Sequence, residues 1–393
     1  MKKCIFTALA LFSSISLFAE DSGVKAALSP YVERGEIPGY ISILIDTNRT
    51  EMVIDGWADV ENKIPLKADS LFRICSQTKG MCGTLVALLC VEGKLSLEDP
   101  VYKYLPEFRN LKRLEKGSDG KEYIVPCKET MLVRDVVSHG SGLDFQTPVS
   151  KVLGWNTVPL RVAAAISATY PLRKEPGTEY YYSNAGIDVA AAIVEVVTGE
   201  RFEDHLQRRL LDPLGMKETT FFPKEEQLKR LVKIYGCETN GVCRLYGDGI
   251  NYEHLLNRST PGLDIHPSAG AGLFSTAVDL VKFYRMLAFE GLDEKGKRII
   301  PKEVITDYLY KQQCRAKGNY SMGFWFSGDW FGHDGALKSV CLVEPKLHLV
   351  RFWMMNVVYE KPEQNRWHQY NVWQPVVDRF FDSNAGKHNA GSR

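Results

Sequence analysis

The sequence predicts an α+β fold, with an antiparallel sheet built from both chain ends, flanked by helices and interrupted by an inserted, mostly helical region. Two strand patterns, GYISILID and EMVIDGW, follow a first helical pattern near the N-terminus. Mainly helical patterns then continue to about residue 260. Four further strand patterns come after them, namely SMGFWF, DWFGH, KSVCLVE and LHLVRFWMMNV. Strands at both ends of the chain, with helices between them, favour one shared sheet.

Start and stop signals support most of these elements. The first helix is expected to end near Gly35, and a second helix to run from Ser76 to Gly93. Thr276 and Asp279 have the spacing of a capping box that opens the helix DLVKFYRMLAFEG. A last helix is expected in WHQYNVWQPVVDRFF, interrupted or ended near Pro375. The other helical patterns are MLVRDVVSHG, LRVAAAISATYPL, IDVAAAIVEVVTG and RFEDHLQRRLLDPLG.

Residues 1–19 have the pattern of a secretory signal peptide. MKK supplies a positive start, CIFTALALFSSISLF an apolar stretch, and Leu17-Phe18-Ala19 a small-residue cleavage site. The apolar stretch is shorter than the roughly 18–20 residues that span a bilayer, which argues against a membrane anchor. We therefore expect cleavage near Ala19 and export to the periplasm or the exterior.

Composition and cysteine spacing exclude several classes of function. The chain is 45% hydrophobic and 25% charged, with a net charge of +1, so no strong field favours nucleic acid. Neither a CxxC pair nor an HExxH motif occurs, and no metal site is predicted. Cys237 and Cys243 flank the turn signal Asn-Gly and are the best candidates for a disulfide. Cys75, Cys82 and Cys90 recur along one helix and are expected to be small buried residues.

Ser76 and Lys79, in the stretch FRICSQTKG, have the spacing of a nucleophile and its base. Three residues of helix turn through roughly 300° and rise about 4.5 Å, so the two side chains would share a face. The helix N-terminus also favours a developing alkoxide. A neutral lysine at pH 7 needs a pKa about three units below the usual 10.4, which burial and a neighbouring cation can supply. A capping serine and a surface lysine would show the same spacing.

Two downstream segments contain further candidates. In PGTEYYYSNAG, Tyr182 could shuttle a proton and Asn184 could hydrogen-bond lysine and substrate, although Asn184 could also cap the following helix. In FGHDGALKS, Gly335 would let a substrate lie against the strand, and the N–H of Ala336 could stabilise an oxyanion. His333 begins this third segment. A hairpin turn with a surface histidine is the alternative.

Together, SxxK, YxN and HxG in this order and spacing resemble the serine β-lactamase-like superfamily. The most similar branch holds class C β-lactamases, D-Ala-D-Ala carboxypeptidases of the penicillin-binding protein type, D-aminopeptidases and β-lactamase-fold esterases. The segments VRDVVSHGSGL and SAGAGLFSTAVDLVKFYRML also resemble this branch. The likeness covers about residues 25–380 and implies a β-lactamase/transpeptidase-like fold.

The resemblance implies a role for each candidate residue. Ser76 would form an acyl-enzyme, Lys79 would accept or relay its proton, and Tyr182 would act as partner base and then as acid. Asn184 would position substrate and lysine, and the N–H groups of Ser76 and Ala336 would form the oxyanion hole. No metal or organic cofactor is required.

One departure from the family pattern bears on the substrate. His333 stands where dedicated class C β-lactamases usually have a lysine that pairs with a substrate carboxylate. Because an imidazole is mostly uncharged near pH 7, efficient β-lactam hydrolysis is not expected. The expected activity is hydrolysis of a small-molecule ester or amide, and the alternatives are a D-amino-acid peptidase acting on peptidoglycan-type peptides and a weak β-lactamase.

Two other functional classes are less consistent with the residues. A non-catalytic binding protein of the same fold is disfavoured because each of the three motifs is present. An α/β-hydrolase would need G-x-S-x-G after a strand, and the string His139-Gly140-Ser141-Gly142 lacks the first glycine.

The resemblance also predicts the domain organisation. One hydrolase domain is expected over 20–385, followed by a tail over 386–393. Its α/β part would comprise about 24–75 and 262–385, and its helical part about 76–261. Substrate specificity is expected to depend on insertions at about 111–128 and 225–260.

Overall fold

The computed structural model describes residues 22–146, 158–237, 241, 243–247, 266–359 and 368–388. The predicted signal peptide lies outside these residues, as does the predicted insertion 225–260 beyond residue 247. The last helix is described to His388, past the predicted start of the tail at 386.

The main sheet has seven strands and joins the two chain ends, as predicted. The strands of this sheet are β1 (Gly39–Ile45), β2 (Thr50–Asp59), β3 (Ile64–Pro65), β10 (Trp325–Ser327), β11 (Trp330–Gly335), β12 (Ser339–Glu344) and β13 (Leu349–Met354). Their order in the sheet is β10-β11-β12-β13-β1-β2-β3, and each neighbouring pair is antiparallel. Within the sheet, Ile43 pairs with Phe352 on one side and with Met52 on the other.

Both faces of this sheet are covered, which explains why every residue of β1 is buried. Ile41, Ile43 and Ile45 point into a large core shared with the inserted helices. Tyr40 and Leu44 point the other way, into a core closed by the first and last helices. Side chains alternate across a strand, so a run such as YISILI, which is apolar except for the buried Ser42, indicates a central strand between two layers.

The helices largely follow the predicted pattern. In chain order they are α1 (Val24–Glu33), α2 (Thr78–Val91), α3 (Val133–Val137), α4 (Leu160–Ala168), α5 (Asn184–Thr198), α6 (Phe202–Leu206), α7 (Asp212–Leu214), α8 (Glu225–Leu228), α9 (Ala277–Ala288) and α10 (Gln374–His388). Pro375 lies where a π-helical segment, His368–Trp373, passes into α10, so the predicted interruption near this proline is a change of helix type. Within the described parts of the chain, we find no helix that is long and apolar enough to cross a membrane.

The inserted region also contains strands that the helical pattern did not predict. Lys112–Lys116 (β5) and Glu122–Pro126 (β6) form a hairpin within the predicted insertion 111–128. Arg113 ties this hairpin to the body through an ion pair with Glu175. The remaining strands form small sheets: β4 (Phe72–Arg73) with β9 (Phe274–Ser275), and β7 (Tyr235–Cys237) with β8 (Arg244–Leu245) and β14 (Val357–Tyr359).

Several local predictions can be compared with the contacts. Cys237 and Cys243 form the predicted disulfide. Cys75 and Cys82 are buried, whereas Cys90 is only partly buried. The Thr276 hydroxyl accepts from the Asp279 N–H, as in a capping box, but the Asp279 carboxylate accepts from the Glu218 N–H and from Thr219 instead.

Helix α2 is held against the sheet by two glycines. A Cβ on Gly83 would lie 1.9 Å from the carbonyl oxygen of Met322, and one on Gly80 would lie 2.4 Å from the Phe324 ring. Neither contact is possible without movement, so the glycines let the helix backbone approach the segment that precedes β10.

The substitution Gly83→Ala is expected to lower the free energy of unfolding by about 2 kcal/mol, because the new methyl group meets a backbone carbonyl rather than a flexible side chain. Helix propensity alone would make the alanine variant more stable. A loss of stability would therefore be due to the close approach between the helix and Met322. The control is Gly236→Ala, whose new Cβ would meet only ordinary contacts at 3.7 and 3.9 Å. Urea denaturation of both variants measures the difference, and equal midpoints would contradict the packing.

Candidate active site

Ser76 lies in a short 3₁₀ turn, Cys75–Gln77, which leads directly into α2. The predicted helix start at Ser76 is therefore two residues early, because residues 75–77 form the 3₁₀ turn and the α-helix begins at Thr78. Cys75, at the start of this turn, has a left-handed conformation with φ of 48°. Thr78 secures the turn: its hydroxyl donates to the Cys75 carbonyl at 2.6 Å and accepts from the Leu273 N–H at 3.2 Å. Ser76 remains partly exposed, while the residues on either side of it are buried.

Lys79 is completely buried one turn after Ser76, so the surface-lysine alternative is wrong. Its Nζ lies 3.1 Å from Ser76 Oγ, 2.5 Å from Asn184 Oδ1 and 2.6 Å from the Gly270 carbonyl oxygen. Burial lowers the pKa of this amine from 10.5 to about 7, opposed mainly by the charge of Asp188. A neutral amine has two N–H donors and one lone pair. Two neighbouring oxygens can only accept, so the lone pair is left to face Ser76.

Tyr182 is a second ionisable side chain beside Ser76. Its ring centroid is 4.6 Å from Lys79 Nζ, and its hydroxyl makes a side-chain hydrogen bond with Ser76. Burial raises the pKa of this phenol above its usual value despite that hydrogen bond. At neutral pH Tyr182 is therefore a protonated phenol beside Ser76.

Asn184 is not the cap of α5, contrary to the alternative considered from the sequence. Ser183 caps the helix, because its hydroxyl accepts from the Gly186 N–H at 2.9 Å. Asn184 is the first helical residue and is buried, so its amide oxygen is free to bind Lys79.

The third segment lies on β11, beside the turn that carries Ser76. A Cβ on Gly335 would lie 2.7 Å from the Ile74 carbonyl oxygen, so the close approach of the segment before Ser76 requires a glycine here. The sequence had suggested that it makes room for substrate. Ala336 follows in the β11–β12 turn and is exposed.

His333 is buried, and both of its ring nitrogens are engaged. Nδ1 lies 2.7 Å from the Asp334 carbonyl oxygen, which can only accept, so Nδ1 carries a proton. Nε2 lies 2.8 Å from the hydroxyl of Tyr320. The alternative of a surface histidine is therefore wrong, and His333 is part of an internal hydrogen-bonded pair.

His139 is a site residue that motif reasoning did not single out. It is buried, with φ of 63°, and its ring centroid lies 4.3 Å from that of Tyr182 and 4.4 Å from that of Tyr320. Its Nδ1 accepts from the Ser183 N–H at 3.2 Å. Burial, followed by the charges of Lys79 and His333, lowers its pKa well below the usual value. The segment SHGSGL contained it, but the sequence carried no sign that it packs on Tyr182.

A metal centre has no basis in the described residues, where no three His, Cys, Asp or Glu side chains lie close enough to hold an ion. The arrangement is instead a serine with two neighbouring proton-handling groups, an amine whose pKa is lowered and a phenol whose pKa is raised. Such a pair suits proton transfer to and from a nucleophile.

The sequence profile of the beta-lactamase family matches residues 24–372. The chain belongs to the beta-lactamase family. Known members of this family with esterase and amidase activities resemble it, and the protein is a serine hydrolase.

Three comparisons illustrate the relationship. The lovastatin esterase of Penicillium rubens is 30% identical over 243 residues, which cover 58% of each chain. The N-acetylmuramyl-L-alanine amidase of Bacillus subtilis is 26% identical over 311 residues, or 72% of this chain and 67% of that one. Among solved structures, the D-amino acid amidase from Ochrobactrum anthropi matches with a TM-score of 0.67 and 23% identity, over 94% of this chain and 99% of that one. The structural likeness confirms the predicted fold.

The buried amine predicts a particular pH dependence of stability. The folded-state pKa of Lys79 lies below the unfolded value, so between about pH 7 and pH 10 the unfolded chain binds more protons and stability rises with pH. In Lys79→Met this rise is lost. The stability of the variant relative to the wild type should fall by up to about 1.4 kcal/mol for each pH unit between pH 8 and pH 10.

Urea unfolding at several pH values measures this difference. The matched control is Lys295→Met, because Lys295 is exposed and its loss should leave the pH dependence unchanged. A constant difference between Lys79→Met and the wild type across this range would contradict the buried-amine assignment.

Proposed function

We propose that this protein is an exported serine hydrolase that cleaves a neutral ester or amide through an acyl-enzyme on Ser76. The observation that carries the proposal is the contact between Ser76 Oγ and the buried Lys79 Nζ at 3.1 Å, together with a lysine pKa of about 7. Export rests on the signal-peptide pattern of residues 1–19.

In the proposed acylation step, neutral Lys79 takes the proton of Ser76 as Oγ attacks the substrate carbonyl carbon. The N–H groups of Ser76 and Ala336 would stabilise the oxyanion. When the tetrahedral intermediate collapses, Tyr182 donates its proton to the leaving alcohol or amine, and Lys79 gives the proton that it took from Ser76 to Tyr182. Water then attacks the acyl-enzyme with the same groups acting in reverse.

The contacts of His333 favour a substrate that has no free carboxylate beside this side chain. The lysine of dedicated β-lactamases would offer a cation there, whereas Asp334 and Tyr320 already occupy both nitrogens of His333. Two aromatic side chains near Tyr182 are exposed: Phe145 stacks on it at 6.0 Å, and Tyr180 lies against His139. These rings favour an apolar group on the substrate.

The second candidate is hydrolysis of a D-amino-acid amide or peptide. It is favoured by the likeness to the D-amino acid amidase, which covers nearly the whole of both chains. Both candidates use the same acyl-enzyme chemistry and differ in the groups on either side of the scissile bond.

The proposed nucleophile can be tested with a fluorophosphonate probe. Wild-type protein is expected to carry one adduct on the peptide containing Ser76, and Ser76→Ala should lose the adduct together with at least about 10³-fold in turnover. Ser167→Ala is the control, because this buried serine only donates to the Ala163 carbonyl within its own helix. Tyr182→Phe should keep the fold and lose roughly 10²–10⁴-fold in kcat. Mass spectrometry and steady-state kinetics measure these effects, and an adduct that persists in Ser76→Ala would exclude the proposed mechanism.

Substrate pairs separate the two candidates. We expect p-nitrophenyl butyrate to be cleaved with a higher kcat/KM than D-Ala-p-nitroanilide, and the methyl ester of a D-Ala-D-Ala peptide to be preferred over its free acid. The free acid is expected to be the poorer substrate because both ring nitrogens of His333 are already hydrogen-bonded, so neither is available to bind its carboxylate. Preference for the free acid would contradict the assignment, and preference for the anilide would favour the amidase.

A further inference from the structure

The contacts of Lys79 lead to a second buried charge, Asp188. Asp188 lies four residues after Asn184 on α5, so the two side chains share one face of the helix. It is 1% exposed. Its Oδ1 accepts from the Gly270 N–H at 3.1 Å and lies 3.5 Å from the Ser268 hydroxyl.

Gly270 connects this carboxylate to the amine. Its N–H donates to Asp188, and its carbonyl oxygen accepts from Lys79 Nζ at 2.6 Å. A Cβ on Gly270 would lie 2.8 Å from the Asn184 Cβ, so the turn packs directly on α5. The position of the carbonyl that binds Lys79 is therefore set by the hydrogen bond that Asp188 accepts.

The charge of Asp188 acts in the same place. It is the largest influence that favours the charged form of Lys79, against the desolvation that disfavours it. The titratable groups that face Lys79 are Cys75, Cys82, His139, Tyr182 and Asp188. Those that face Asp188 are Lys79, Cys82 and His266, whose Nε2 lies 3.5 Å from Oδ2.

We propose that Asp188 is a positioning residue of this site, whose carboxylate fixes the Gly270 turn that binds Lys79 and places a negative charge behind the buried amine. The proposal rests on the proposed function in assigning Lys79 as the base. Without this charge the amine would lose its proton at a lower pH, and without the acceptor the Gly270 carbonyl would no longer be held in place.

Two substitutions separate these effects. Asp188→Asn keeps an oxygen for the Gly270 N–H and removes the charge, whereas Asp188→Ala removes both. The measurement is the rate constant for labelling of Ser76 by a fluorophosphonate between pH 5 and pH 9. The wild-type midpoint is expected near pH 7, and that of Asp188→Asn about one pH unit lower.

The labelling rates at the high-pH plateau test whether Asp188 holds the Gly270 turn in place. Asp188→Ala should fall at least tenfold at high pH, and Asp188→Asn should recover most of this loss. Asp279→Asn is the matched control, because Asp279 is also buried on a helix and accepts from a backbone N–H of another segment. It should change stability without moving the midpoint. An unchanged midpoint in Asp188→Asn, or equal plateau losses in the Asn and Ala variants, would overturn the proposal.

A measurement that does not involve catalysis separates this inference from the proposed function. In a double-mutant cycle, Asp188→Asn should lower the urea midpoint of the wild type more than that of Lys79→Met at pH 6, and this excess should shrink at pH 9 as the amine loses its proton. If the two substitutions are coupled in this cycle but the wild type is not labelled at Ser76, only the proposed function is rejected. If the effect of Asp188→Asn is the same with and without Lys79, the role of Asp188 is rejected, whatever the activity of the protein.

Discussion

The burial of one amine is the constraint on which the rest of the site depends. Lys79 is fully buried on α2, and its Nζ needs acceptors that the helix cannot itself provide. Asn184 and Gly270 supply them from parts of the chain more than 100 residues away. The amine therefore has its contacts only when the inserted helices and the segment before β9 have docked on α2.

Close backbone approaches make this docking possible. Gly83 brings α2 against Met322, Gly335 brings β11 against the segment before Ser76, and Gly270 brings its turn against Asn184. A side chain on Gly270 would displace Asn184, which binds Lys79, and one on Gly335 would meet the carbonyl of Ile74, two residues before Ser76. The site is thus built mainly on helices and a strand, whose rigidity suits groups that must exchange protons over about 3 Å.

Tertiary contacts changed the interpretation of several residues. Asn184 was a possible helix cap, but Ser183 takes that role and leaves the amide for Lys79. His333 has the position of a substrate-binding residue, yet Tyr320 occupies its outer nitrogen. The hairpin at 112–126 was missed because KRLEK and EYIVP carry mixed, mostly exposed side chains that lack a clear strand period.

The sequence by itself determined the main strands of both chain ends, the helix that follows Ser76 and the residues of the three motifs. Residue type, spacing and hydrophobic period are local properties, and they can be read along the chain without knowing the fold. Only the tertiary structure decided that Lys79 has a pKa of about 7, that Asp188 lies behind it and that His333 is already paired. Burial and electrostatic fields depend on groups that are distant in sequence and meet only in the folded protein.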